Sequence, residues 1–208
     1  MMEKRRCALY LALIHHPVLN RRGEEIASAV TNLDLHDLAR LACTYDLPAV
    51  HVVTPIEDQQ RLVERLLHHW FHNVGRALHP DREKALRRLR VVDSLDEVSR
   101  EVERETGKVP LLWAASARAT EDSVAPWVAR RLMEDSDRPG VLILGTAWGL
   151  APSVTARCDG FWRPIEGRAG YNHLSVRCAA AILVDRFFHG DESKEGDPSV
   201  APLLQGGI

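Results

Sequence analysis

The chain has 208 residues with 27 Lys and Arg against 29 Asp and Glu, a formal net charge of −2, so any contact with a polyanion must come from a local patch. With 45% hydrophobic and 27% charged residues it has the composition of a water-soluble globular protein, and its length favours one domain around a sizeable core. Cys7, Cys43, Cys158 and Cys178 lie far apart without C-x-x-C spacing, which argues against a disulfide framework or a zinc site and for buried thiols in a reducing compartment.

The opening MMEKRRCALYLALI pairs a basic start with an apolar run. The run is short and meets His15-His16-Pro17 without a small-residue cleavage site, so it reads as a first buried strand over 7–14 rather than a signal peptide. No segment is long enough to span a bilayer, and the expected location is the cytoplasm. His15, His16 and Asn20 fall in the following loop, where the histidines are expected to be solvated. Leu35, Leu38, Ala39 and Ala42 share one face of a helix, for which Asn32 is a candidate N-cap and Asp34 an acid at the positive end of the dipole.

A second strand is expected over 49–54, then a long helix with Ile56, Leu62, Leu66, Leu67 and Phe71 on one face. His68 and His72 on that helix have i,i+4 spacing, but no third ligand is in sight and no metal is expected. His79-Pro80-Asp81 reads as a turn, and the mixed-sign run at 81–90 as a solvated helix face, with an RNA patch as the alternative. Strands follow over 89–94, 109–115 and 140–145, with a weaker one over 159–165. Between them stand a helix carrying Val98 and Val102, with Ser94 as N-cap and Gly107 as C-cap, and another marked by Val124, Val128 and Leu132. A last, alanine-rich helix covers about 173–189; from Gly190 the periodicity vanishes, as in a mobile tail over 190–208. Strands separated by single helices imply βαβ units: one α/β domain over 1–189, with a mainly parallel sheet and helices on both faces.

In such sheets ligands bind outside the carboxyl ends of the strands, and three ends here are unusual. They are Ala114-Ala115-Ser116-Ala117-Arg118, then the turn Gly145-Thr146-Ala147-Trp148-Gly149-Leu150, then the segment from Pro164 to Asn172. Small residues and glycines leave room and expose backbone groups able to read a purine edge, with Leu144, Ile165 and Leu174 as apolar walls. Trp148 fits a core or interface position as well as a ligand platform.

The turn Gly145–Leu150, the segment Pro164-Ile165-Glu166-Gly167 and the run His173-Leu174-Ser175-Val176-Arg177-Cys178-Ala179-Ala180-Ala181-Ile182 together resemble the SPOUT methyltransferases, specifically their SpoU branch. The stretch Asp34–Leu41 resembles an earlier motif of that branch, with aspartate for asparagine. HPVLN-x-x-G, TNLDLHD-x-AR and YNHLSVR are similar to a little-characterised bacterial branch of SAM-dependent RNA methyltransferases. The branch's glutamate in the glycine turn is absent here, and Ser175 stands where the branch has asparagine.

The resemblance implies S-adenosyl-L-methionine (SAM) as cofactor, RNA (tRNA or rRNA) as substrate for base or ribose methylation, a C-terminal deep trefoil knot, and a homodimer whose sites are completed by the partner. It implies a SAM site built from Ala115, Ser116, Leu144, Gly145, Thr146, Trp148, Gly149, Ile165, Glu166, Tyr171, Asn172, His173 and Leu174. Arg40 is the implied catalytic or phosphate-binding arginine, against a plain salt bridge with Asp37 or Asp34. Asp34, or His36, would accept a proton if the acceptor is a guanine ring nitrogen. Asn172 could instead cap the last helix, and Arg177 could meet RNA or the dimer partner. The competing readings are a non-catalytic SAM- or RNA-binding protein of the same fold and, more weakly, an unrelated nucleotide-binding α/β enzyme.

Overall fold

Six apolar residues in succession, Leu9–Ile14, form the first strand, and all six are buried because the strand lies in the middle of a sheet covered on both faces. The computed structural model describes residues 8–72, 79–117, 121–169 and 171–190; Cys7, Arg118, Gly170 and the tail over 191–208 lie outside the described residues. In chain order the elements are β1 (Leu9–Ile14), β2 (Val18–Leu19), β3 (Glu25–Ile26), α1 (Asn32–Thr44), β4 (Val50–Val53), α2 (Glu57–His72), α3 (Pro80–Leu86) and β5 (Leu89–Val92). There follow α4 (Leu95–Thr106), β6 (Leu111–Ala115), β7 (Ser123–Val124), α5 (Pro126–Ser136), β8 (Gly140–Gly145), α6 (Pro152–Thr155), β9 (Gly160–Trp162) and α7 (Val176–His189).

Seven strands make one sheet in the order β5-β4-β1-β8-β6-β9-β7, parallel throughout, while β2 and β3 form a small antiparallel pair. Alternation along the strands builds two cores. Leu9, Leu11 and Leu13 face one side with Val50, Val52, Leu142 and Leu144, where they meet Leu35, Leu38, Ala39, Ala129, Met133, Leu183 and Phe187 of α1, α5 and α7. Tyr10, Ala12 and Ile14 face the other with Val53, Val141 and Ile143, under Val98 and Val102 of α4 and Val154 of α6. His51, on this second face, is buried and its Nε2 lies 3.0 Å from Glu101 of α4.

The helix starts show which local signals prevail. Ser94 accepts from the Glu97 amide and Gly107 closes α4 at φ 73°, both as the sequence predicts. At α1 the cap is Thr31 rather than Asn32: its hydroxyl oxygen accepts from the Asp34 amide, so Asn32 is already inside the helix. Ser175, not Asn172, caps α7, which therefore begins at Val176. On α2 the expected face is shifted. Val63 is fully buried while Ile56 and Leu62 are more than a third exposed, because α2 packs against β5 and α3 near the sheet edge. On α5 the buried positions are Ala129 and Met133; Val124 belongs to β7, and Pro126 opens the helix after it.

Phe187 of α7 holds the last strand in place. Fully buried, it stacks on Trp162 of β9 at 5.4 Å between ring centroids, with Phe188 edge-on at 5.0 Å. Phe187→Ala should therefore lower the unfolding free energy by about 3–5 kcal/mol, the range for deleting a large buried aromatic. Urea unfolding followed by far-UV circular dichroism measures it, and a loss under about 1 kcal/mol would contradict this packing.

Candidate functional site

The register places the predicted strand ends side by side. Ile14 pairs with Gly145, Leu144 with Ala115, and Ala115 with Trp162, so the carboxyl ends of β1, β8, β6 and β9 form one continuous edge. The three loops that leave β6, β8 and β9 thus start from neighbouring strands. Asn172 in the third loop donates from Nδ2 to the Ala117 carbonyl in the first, at 3.2 Å, tying them together.

The glycine turn owes its shape to its own backbone. A Cβ on Gly145 would lie 2.7 Å from the Leu150 nitrogen and 3.0 Å from the Gly149 carbonyl carbon, so this glycine is required by the turn folding back on it. Ala147 at φ 51° and Gly149 at φ 108° make the bend. The Gly149 amide donates to the Thr146 carbonyl at 3.0 Å, and the turn is joined to β2 by Trp148 N–H to Leu19 O (3.0 Å) and Leu19 N–H to Gly149 O (2.9 Å). Beside Gly149 there is open space, with nothing within 4 Å of a Cβ built there. Trp148 is 62% exposed, so its ring belongs to the surface and not to the core.

Leu144 is buried in the core against the helices, so only its backbone is available to a ligand; as a side-chain wall it is replaced by half-buried Ile165 and exposed Leu174. Ala115 and Ser116 are half-buried, Glu166 is exposed, and Tyr171 (73% exposed) stands edge-on to His173 at 5.4 Å.

Beneath the turn runs a chain of hydroxyls that the sequence does not announce. Thr146 Oγ1 donates to the Ile14 carbonyl at 2.9 Å, Ser28 Oγ lies 2.5 Å from Thr146 Oγ1, and His15 Nδ1 lies 3.0 Å from Ser28 Oγ. Ser28 Oγ also donates to the His15 carbonyl at 3.4 Å, so this hydroxyl joins the turn residue Thr146 to both the ring and the backbone of His15. His15 is fully buried, not solvated as its loop position suggests, and its Nε2 has no hydrogen-bond partner among the described residues. Burial pushes its pKa below the ordinary histidine value, with the Asp34 carboxylate opposing that shift, so the ring is held neutral.

Asp34 is buried at the start of α1. Thr31 Oγ1 donates to its Oδ2 at 2.6 Å, and Arg177 of α7 reaches it at 3.6 Å and Asp37 at 3.4 Å. The two acids are therefore engaged by Arg177 and not by Arg40. Arg40 is exposed without an ion pair among the described residues, six residues further along α1, about 9 Å at 1.5 Å per residue. Because α1 leads from the carboxyl end of β1 towards the amino end of β4, that distance is directed away from this chain's own glycine turn. His68 and His72 stack on each other at 4.4 Å, and among the described residues no three His, Cys, Asp or Glu side chains are grouped to hold a metal.

The neutral state of His15 has a pH consequence. In the unfolded chain a histidine takes a proton near pH 6.5, whereas in the fold it does so only at lower pH, so the unfolded state binds more protons and stability falls as pH drops below about 6.5. His15→Asn should cost about 1–3 kcal/mol at pH 7.5 through the disturbed hydroxyl chain and should flatten the acid loss. Urea unfolding from pH 7.5 to 5 is the check, and an unchanged pH slope would contradict a neutral buried His15.

Comparison with known proteins places this geometry. A model of a SAM-dependent RNA methyltransferase family matches residues 8–189. The chain is 48% identical over 178 residues to a tRNA (guanine-N(1)-)-methyltransferase of Oleidesulfovibrio alaskensis, covering 86% of this chain and 41% of that protein. It is 34% identical over 180 residues to an uncharacterised protein of Aquifex aeolicus, covering 86% and 88%. The chain thus spans about two fifths of the length of the first of these relatives. Among solved structures, the TrmH/SpoU tRNA modifying enzyme of A. aeolicus superposes with a TM-score of 0.52 at 15% identity, covering 90% of this chain and 77% of that one. TrmJ of Z. mobilis superposes with a TM-score of 0.55 at 14% identity, covering 89% and 70%, so the fold is shared with both. On the match from residue 8 to 189, this chain belongs to the SAM-dependent RNA methyltransferase family.

Proposed function

We propose that this chain binds SAM on the edge formed by the loops after β6, β8 and β9 and transfers its methyl group to RNA, with tRNA the first acceptor to test. The observation that carries the reading is the convergence of those loops at neighbouring strand ends, tied by Asn172 to Ala117, in a member of this family. The residues fit the cofactor. Open space lies beside Gly149, small half-buried Ala115 ends β6 beside Leu144 of β8 with Ser116 opening the loop after it, and half-buried Ile165 and exposed Leu174 supply apolar surface from the third loop. Gly145 and Thr146 shape the turn from behind, while Glu166, Tyr171, Asn172 and His173 border the third loop. SAM supplies a methyl group activated on a sulfonium; the chain's part is to orient the acceptor and hold charge near it.

Arg177, oriented by Asp34 and Asp37, stands at the start of α7 next to this edge and is the cation this chain brings to its own site. Asp34 acts first as the group that orients Arg177, since both of its oxygens are engaged, and as proton acceptor only if the methylated atom is a guanine ring nitrogen. Arg40 lies further down α1, so a catalytic role for it requires a second copy of the chain, and we assign it to the partner's site in a homodimer. We further propose that the C-terminal part forms the deep trefoil knot that the family resemblance implies. We also read residues 1–189 as a single domain and the cytoplasm as its place of action. No helix among the described residues is long and apolar enough to cross a membrane.

Isothermal titration should give about one SAM site per chain without added metal, together with a rise in melting temperature. Incubation with methyl-labelled SAM and bulk tRNA should label the RNA. Arg40→Ala should leave SAM affinity nearly intact and lower labelling by on the order of 100-fold, the loss for an electrostatic contact made mainly in the transition state. Absence of SAM binding would overturn the reading. SAM binding with no transfer to any cellular RNA would leave a binding protein of the same fold.

A further inference from the structure

We propose that the seam between α1, α2 and α3 is a second RNA contact, where Arg82 engages a backbone phosphate and the Arg82–Trp70 stack presents a flat face to a base. The proposal rests on RNA being the substrate class and extends it to a surface beyond the strand edge.

The acids nearest this seam are already engaged: Asp34 and Asp37 by Arg177, and Glu83 by Arg87 at 2.5 Å. Asp81 and Lys84 on α3 offset each other in net charge. Arg40 and Arg82 are left exposed and without a carboxylate among the described residues. Elsewhere on the surface Arg61 is paired with Glu57 and Asp58, Arg100 with Glu97, and Arg157 with Asp96. Arg82 lies over the Trp70 ring that meets His36 edge-on, and Arg40 follows His36 by four residues on α1. Asp34 and Asp37 share the one cation of Arg177, and their remaining negative charge offsets Arg40 on the same helix; the exposed Arg82 guanidinium on the Trp70 ring remains as a local anion site in a chain of net charge −2.

Trp70 distinguishes this anion site from a general one. Its ring lies edge-on to His36 at 5.6 Å, the Arg82 guanidinium carbon sits 4.8 Å from the ring centroid, and His69 and His79 approach at 5.7 and 6.3 Å. The indole fixes the guanidinium plane, leaving its outer face flat and charged. A base can stack on that face while a phosphate accepts from its edge, a combination that RNA offers and an acidic peptide does not. The seam is joined to the strand edge by α1, which starts at Asn32 and carries Asp34 in its first turn and His36 after it, so an RNA strand presented at the edge can continue along the helix.

The test is fluorescence anisotropy of bulk tRNA with the full chain over a series of salt concentrations, alongside SAM titration. Arg82→Gln should weaken tRNA binding about 3–10-fold near 0.1 M salt and reduce the slope of log K against log salt by about 1. Arg82→Lys should keep the slope yet bind more weakly, because the charge stays and the stack is lost. Trp70→Leu should weaken binding with little change of slope, and Arg61→Gln, already neutralised by Glu57 and Asp58, should match the unaltered protein. SAM affinity should be unchanged in all four. An Arg82→Gln slope equal to that of the unaltered protein would overturn the proposal, as would equal losses in Arg61→Gln or a dissociated dimer in Arg82→Gln by sedimentation. An unaltered protein that binds SAM but shows no salt-dependent tRNA affinity would instead remove the RNA reading on which the seam depends.

Discussion

The parallel register across β1, β8, β6 and β9 is the constraint on which the rest of this structure depends. It sets Leu13, Leu144, Ala115 and Trp162 in one row, with the Ile14–Gly145 pair one residue beyond, so the loops that leave these strands start side by side. A slip of one residue in β8 would turn Leu142 and Leu144 out of their core and move the glycine turn off β2. The apolar residues of these strands, packed against α1, α5 and α7 on one face and α4 and α6 on the other, hold that register. The stability of the core and the placement of the ligand edge are therefore one property.

Buried polar groups then determine which side chains remain free for chemistry. Thr146 could have offered its hydroxyl to a ligand, but it faces inward to Ile14 and Ser28 and so supports the turn. Arg177 holds both acids at the start of α1, which leaves Arg40 without a carboxylate partner among the described residues. A free arginine is meaningful here because the acids nearest it in sequence are occupied. Leaving a buried carboxylate or hydroxyl unpaired costs free energy, so these assignments are firmly set, and the exposed cations are what remains after they are made.

Much of the fold could be read from local pattern. The runs at 9–14 and 140–145, the small residues after LLW and the glycine turn are visible because apolar periodicity and turn chemistry act over a few residues. The same short range explains the misreadings. Thr31, Asn32 and Ser175 are all capable caps, and which of them serves depends on where packing starts the helix. Val63 replaces Leu62 on the buried side of α2 because α3 and β5, not the periodicity alone, define that side. His15 carries no sign of burial in its own loop; its partner Ser28 is 13 residues away, and Thr146 lies 118 residues beyond Ser28.

The sequence by itself determined an α/β chain with a parallel sheet, three unusual strand ends and a resemblance to SAM-dependent RNA methyltransferases, since each of these is carried by contiguous residues. Only the tertiary structure decided that those ends are neighbours, that Gly145 is dictated by Leu150 behind it, that His15 is neutral and buried, and that Arg82 lies on the Trp70 ring beside His36. The physical reason is range. Hydrophobic patterning is written within a few residues, whereas strand register, ion pairing and desolvation are set between segments that meet only when the whole chain has folded.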